Sequence, residues 1–187
     1  MIRHLWIYLS LALVVLLSWF LAESMAPEPE KVQPTKSHQP DYFSNGFTKI
    51  SMDEEGLPRN RLVADSMIHY QDDDTTELKK PVFTKINEEA PPWVIHSEAG
   101  FVSSGGKTIF LDGTVLIERD AAPGYDPITI NTEDLTVKPE IDYAETEQFA
   151  ELISSRYRIS GIGMSIYFGE HEQVELNSNV HGKFEEE

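Results

Sequence analysis

The sequence predicts an all-β domain of repeated antiparallel strand pairs, carried behind one N-terminal membrane-spanning helix. Three observations predict it. Residues 5–22 form an 18-residue run without a charge, and apolar residues beyond Tyr42 recur with a period near 2. Those strands also show a weak self-similarity at spacings of 33 to 35 residues.

At 187 residues the chain has room for one domain of ordinary size plus an appendage. Fifteen Lys and Arg against 32 Asp and Glu leave a formal net charge of −17. A surface that acidic repels phosphate backbones, which excludes nucleic-acid binding through a basic face. It also argues against docking on anionic headgroups by electrostatics alone. With 40% apolar and 10% aromatic residues, the chain can pack a core. Cysteine is absent, which removes disulfides, thiolate metal sites and cysteine nucleophiles together.

The first element is the run at residues 5–22 (LWIYLSLALVVLLSWFLA). As a helix it spans roughly 27 Å at about 1.5 Å per residue, close to the hydrocarbon thickness of a bilayer. Trp6 and Tyr8 near one end and Trp19 near the other sit where interfacial aromatics prefer to lie. Arg3 and His4 precede the run and Glu23 follows it, which predicts cytoplasmic residues 1–4 and an exported remainder. A cleavable signal peptide is the competing reading. The run is longer than a typical signal core, and its small-x-small site, Ser24-Met25-Ala26, is followed at once by Pro27. Residues 23–41 hold Pro27, Pro29, Pro34 and Pro40 among polar residues, the composition of an extended spacer. The domain proper is residues 42–187, where 12 basic and 28 acidic residues leave −16.

Within that domain Ile109, Leu111, Gly113, Val115 and Ile117 share one strand face, with Asp112, Thr114 and Glu118 opposite. Val174, Leu176, Val180 and Phe184 keep one parity, with Glu175, Asn177, Asn179 and His181 on the other. Such alternation predicts half-buried β-strands. Asn45-Gly46, Gly105-Gly106 and Asp112-Gly113 supply turn or bulge chemistry. Residues 145–154, the one stretch compatible with a helix, lack a clear cap and read as strand.

Ala64-Asp65 and Ser97-Glu98 lie 33 residues apart, as do Leu78 and Leu111, and Val82 and Val115. A shift of 35 lays Thr132-Glu133 on Ser97-Glu98 and Thr146 on Leu111. Shifts of 64 and 65 lay Gly163 on Ala99, Leu176 on Leu111 and Val180 on Val115. Four strand–turn–strand units thus begin near 61, 93, 129 and 157 and share one continuous apolar face. That face is either packed in a closed sandwich or left as a trough in a curved, open roll, and composition does not choose.

Catalytic and metal motifs fail. Gly105-Gly106-Lys107-Thr108 lacks the earlier glycine of a phosphate loop, Phe101 standing in its place, and a strand pattern follows it. There is no Gly-x-Ser-x-Gly and no His-Glu-x-x-His; His69, His96, His171 and His181 stand singly. Asp72-Asp73-Asp74 reads as an exposed turn, and Glu185-Glu186-Glu187 as a solvated tail. No active site and no metal site are expected.

The organisation resembles the LptC family of lipopolysaccharide export system proteins over essentially the whole chain. The resemblance is carried by Arg61-Leu62-Val63-Ala64 leading to Tyr70, by Leu78 with Pro81-Val82-Phe83, and by Trp93. The run at 109–115 (IFLDGTV), Thr132 with Leu135, and Gly163-Met164 continue it in the same order. The Leu-x-Gly ending of the family stands only at Leu111-Asp112-Gly113; Lys80, Gln148 and Ser178 occupy the corresponding places, and residues 148–158 match least.

The resemblance implies an open β jelly roll in the periplasm of a Gram-negative bacterium, anchored in the inner membrane. Such a protein receives lipopolysaccharide from an inner-membrane ABC transporter and passes it to a soluble periplasmic bridge protein of the same fold. No metal, cofactor or catalytic group is implied. The lipid-facing candidates are Leu78, Val82, Phe101, Ile109, Leu111, Val115, Ile117, Ile166 and Phe168. The anchor helix and an N-terminal edge at 43–52, with Phe43, Phe47 and Ile50, would meet the transporter. A C-terminal edge at 174–184, with Val174, Leu176, Val180 and Phe184, would meet the bridge protein. A −16 domain cannot attract an anionic lipid by net charge, so affinity would come from acyl burial, about 0.8 kcal/mol per methylene. The alternatives are a packed sandwich that scaffolds a membrane complex without lipid, and a tethered hydrolase using a pair such as Glu98 and Glu118.

Overall fold

The computed structural model describes residues 2–25, 38–87, 90–169 and 172–184. The chain forms two compact units, Met1–Ser37 and His38–Glu187.

In the first unit α1 (Ile2–Met25) is one helix of 24 residues, about 36 Å long at 1.5 Å per residue. Its described side chains are exposed, Leu16 at 68% and Trp19 at 70% among them. Side chains are described only for Trp6, Tyr8, Leu9 and residues 11–21 of this helix. Among described residues alone, no helix is long and apolar enough to cross a membrane. The span over 5–22 therefore remains an expectation of the sequence. Residues 26–37, most of the expected spacer, lie outside the described residues.

The second unit is all-β. Its strands are β1 (Pro40–Met52), β2 (Pro58–Tyr70), β3 (Thr75–Lys79), β4 (Val82–Lys85) and β5 (Trp93–Val102), followed by β6 (Ile109–Arg119), β7 (Ile128–Lys138), β8 (Tyr143–Ser154), β9 (Tyr157–Tyr167) and β10 (Gln173–Phe184). They form one antiparallel sheet in sequence order, with β3 and β4 both paired between β2 and β5 as two pieces of an interrupted strand. The four expected repeat units begin where β2, β5, β7 and β9 begin, and residues 145–154 are strand.

A seam of irregular residues crosses this sheet. Register shifts fall between Ser97 and Ala99, Leu111 and Thr114, Asn131 and Thr136, Thr146 and Phe149, and Ser178 and His181. Left-handed backbone accompanies them at Lys80 (φ 48), Gly113 (φ 73), Asp134 (φ 48), Gly163 (φ 75) and Asn179 (φ 48). Each bulge inserts an extra residue, bends its strand and leaves backbone groups without ladder partners. Buried hydroxyls take up the freed carbonyls: Ser97 Oγ donates to Asp112 O (2.8 Å), Thr132 Oγ1 to Phe149 O (2.9 Å) and Thr146 Oγ1 to Glu133 O (2.7 Å). The self-similar Ser97-Glu98 and Thr132-Glu133 of the sequence lie on this seam.

The bend folds the sheet back on itself. Trp93, at the start of β5, meets Phe168, just past the far end of β9, with ring centroids 5.7 Å apart. Between the two layers sits one apolar core. Ile95, Leu111, Val115, Ile117, Ile130, Met164 and Ile166 in it are all 0–1% exposed.

Candidate functional site

The inner face of the folded sheet is the first candidate. Of the nine residues expected to face a lipid, Leu78, Ile109, Leu111, Val115, Ile117, Ile166 and Phe168 lie on it, each at most 4% exposed. Two do not. Lys80 takes left-handed backbone ahead of β4 and turns the parity over, so Phe83 (2% exposed) points inward and Val82 lies on the other face. The shift between Ser97 and Ala99 does the same in β5. Gly100 is buried there, and Phe101, 41% exposed, stacks outside on Phe110 at 4.5 Å.

Gly113, expected on the inner face, is exposed at its bulge. Gly100 is a packing glycine: a Cβ there would come 2.5 Å from Phe110 O and 3.2 Å from Leu111 Cδ2.

The two outer strands are β1 and β10, each paired on one side only. On β1 the positive φ of Gly46 (79°) puts Phe43 and Phe47, of equal parity, on opposite faces, and simple alternation puts Ile50 opposite Phe47. Phe47, opposite Ala64, packs against the core, whereas Phe43 and Ile50 stand opposite Ile68 and Arg61 and are 77% and 49% exposed. On β10, Val174 and Leu176 pack against the core opposite Ile166 and Met164. Val180 and Phe184 are 52% and 71% exposed, and Phe184 lies 6.4 Å from the Tyr157 ring.

Away from the seam, where the two layers meet, a polar clasp joins strand ends. Asp142 in left-handed backbone (φ 52) takes Lys85 Nζ at 2.8 Å on Oδ1 and Arg59 Nη2 at 2.9 Å on Oδ2. Arg59 Nη2 also donates to Glu140 O, and Phe168 N donates to Asp142 O. Nearby, Glu172 accepts from Arg119 Nη1, from Trp93 Nε1 at 3.0 Å and from Asn87 Nδ2 at 3.3 Å. The Arg119 guanidinium lies 4.9 Å over the Trp93 ring and 5.2 Å over Tyr125. Lys85 and Arg119 are 5% and 8% exposed. Sequence reasoning missed this cluster, and the signal was available: both cations occupy the buried parity of apolar strands, two residues after Phe83 and Ile117.

At the β1 end the layers part around a cavity of about 280 Å³, lined by Phe47, Lys49, Leu62, Met67, His69, Val102 and the turn at 103–106 among others. Asp74 lines it too. Hydrogen bonds from Ser104 Oγ (2.8 Å) and Gly105 N (3.1 Å) hold its carboxyl below the ordinary range.

His38, Asp72 and Asp73 form the one group among described residues able to offer three ligand atoms to a metal. His38 Nδ1 lies within hydrogen-bond distance of Asp72 Oδ2 (3.1 Å) at the β2–β3 turn, and His38 stacks on Tyr70 at 4.0 Å. His171 and residues 185–187 lie outside the described residues. Glu98 sits at the seam, while Glu118 pairs with Val94 four residues back along β5. That is about 13 Å along the strand, beyond the about 5–9.5 Å between glycosidase carboxylates.

A family model described as "LptC: Lipopolysaccharide-assembly, LptC-related" matches residues 7–185. No curated protein gave a match.

Proposed function

This chain belongs to the LptC-related family of lipopolysaccharide-assembly proteins, and from that premise we propose that its folded sheet carries lipopolysaccharide from the inner membrane toward the outer one. Membership itself gives the chain a role in lipopolysaccharide transport and a place in the Gram-negative envelope. The proposal adds direction and partners. Helix α1, with its 18 uncharged residues at 5–22, anchors the chain in the inner membrane, and the β unit stands in the periplasm. Strand β1 receives lipid from the ABC transporter, and β10 pairs with a soluble periplasmic protein of the same fold.

The observation that carries this reading is the single apolar inner face, continuous across the sheet and ending at two strands with unpaired outer edges. Edge addition at either end satisfies the free backbone groups and extends the same face into the partner. Acyl chains enter by parting the two layers, because the interior is filled by its own side chains at 0–1% exposure. No step needs a cofactor, a metal or a catalytic residue.

That same close packing favours a second reading, a β scaffold that assembles a membrane complex and takes no lipid. A photo-crosslinking probe at Leu176, with Glu175 of opposite parity as control, separates the two in cells. A lipopolysaccharide adduct at 176 and none at 175 is the expected result. A folded, membrane-bound protein without an adduct at 176 overturns the lipid reading and leaves the scaffold.

A further inference from the structure

We propose that the cavity beside β1 is a subsite for the phosphate end of a phosphorylated amphiphile, with Lys49 as its counter-ion. The proposal rests on the lipid-carrying reading and names the part of the lipid that is recognised.

Three cations lie on the inner side of the sheet. Lys85 is paired with Asp142 and Arg119 with Glu172. Lys49, opposite the buried Leu62, has no carboxylate within 4.0 Å among the described residues. The acidic residue in the lining, Asp74, accepts from Ser104 Oγ and Gly105 N, with its other oxygen 3.7 Å from His69 Nε2. Lys49 is exposed on β1, and its Nζ lies against the 103–106 turn, 3.0 Å from where a Cβ on Gly106 would stand.

The apolar part of the lining is Phe47, Leu62, Met67 and Val102, beside the polar His69, Asp74, Thr76 and Ser103. A lone cation at the rim of a partly apolar cavity matches an amphiphile with its charge at one end. The volume, about 280 Å³, falls just below the range of about 300–1,000 Å³ for sites that enclose a whole small ligand. It admits one end of a larger molecule. In a domain of net charge −16 a phosphate, with about −1.5 to −2 charge at pH 7, gains most from the single ammonium that faces it.

The test compares the full chain in neutral detergent with bis-phosphorylated lipid A, with the same lipid dephosphorylated, and with inorganic phosphate as competitor. Wild type is expected to bind the phosphorylated lipid about fivefold more tightly at low salt, the scale of one partly exposed ion pair. Lys49→Met collapses that ratio to about one, Lys49→Arg keeps most of it, and the charge-matched control Lys79→Met on β3 keeps all of it. A ratio of one in wild type, or a full ratio in Lys49→Met, overturns the subsite while leaving lipid carriage standing. Full displacement by millimolar inorganic phosphate overturns the amphiphile in favour of a free-anion site. Binding of neither lipid overturns the subsite and the lipid-carrying reading together.

Discussion

Glu172→Gln tests the clasp that closes the two layers. The substitution keeps size and one carbonyl oxygen for Trp93 Nε1, but it leaves the Arg119 cation, 8% exposed, without its carboxylate. Breaking a buried pair by removing one charge costs about 3–5 kcal/mol. Here the Glu172 side chain retains 19% exposure, so water screens part of the loss and the expected cost is about 3 kcal/mol. At about 2–4 °C per kcal/mol for a domain of this size, the melting midpoint falls by roughly 6–12 °C. The double variant Arg119→Met/Glu172→Gln removes both charges, keeps an acceptor for Trp93 Nε1 and is expected within about 1 kcal/mol of wild type. Chemical denaturation of wild type, both singles and the double, followed by tryptophan fluorescence, gives the coupling energy directly. Amide exchange at Phe168, whose N–H donates to Asp142 O, reports whether the layers part. A Glu172→Gln protein within about 0.5 kcal/mol of wild type would refute the clasp, as would a double variant no better than the single.

The other predictions concern the seam, the core and the cavity loop. Thr146→Val removes the donor to Glu133 O at a position 4% exposed and should cost about 1–3 kcal/mol by denaturant titration. Leu111→Asp, which buries an unpaired charge in a packed interior, should abolish the cooperative melt seen by circular dichroism. Ser104→Ala should raise the Asp74 carboxyl toward its ordinary value, because the Ser104 hydrogen bond is the main cause of its depression. A depressed carboxyl contributes stability above its unfolded pKa of about 3.9 and loses it as pH falls through the folded value. The variant should therefore differ from wild type above that window and converge with it in stronger acid. Carboxyl NMR titration checks the shift, and an unchanged Asp74 curve would count against the contact.

Much of the β unit is legible because strand formation is local. The alternation at Ile109, Leu111, Val115 and Ile117 is set by the two-residue period of the pleat, and the structure buries all four. The self-similarity around Ser97 and Thr132 marks the seam, since each bulge needs a small hydroxyl residue to serve a freed carbonyl. The faces of Val82, Phe101 and Phe43 were not legible by counting. One left-handed or inserted residue upstream reverses the parity of every residue beyond it. Glycine marks such a point at Gly46, but Lys80 carries the same conformation with no glycine to mark it. The clasp partners lie 53 residues apart at Arg119 and Glu172, and nothing local pairs them.

By itself, then, the sequence determined the strand-forming segments, their repeat units, the uncharged run at 5–22 and the family to which the chain belongs. These follow from short-range periodicity, composition and motif order. Only the tertiary structure decided which side chains face inward past each bulge, that the layers close on a packed core, and that Arg59, Lys85 and Arg119 find their carboxylates across the fold. Those outcomes depend on accumulated bend and on contacts between distant segments, and a local pattern carries no information about either.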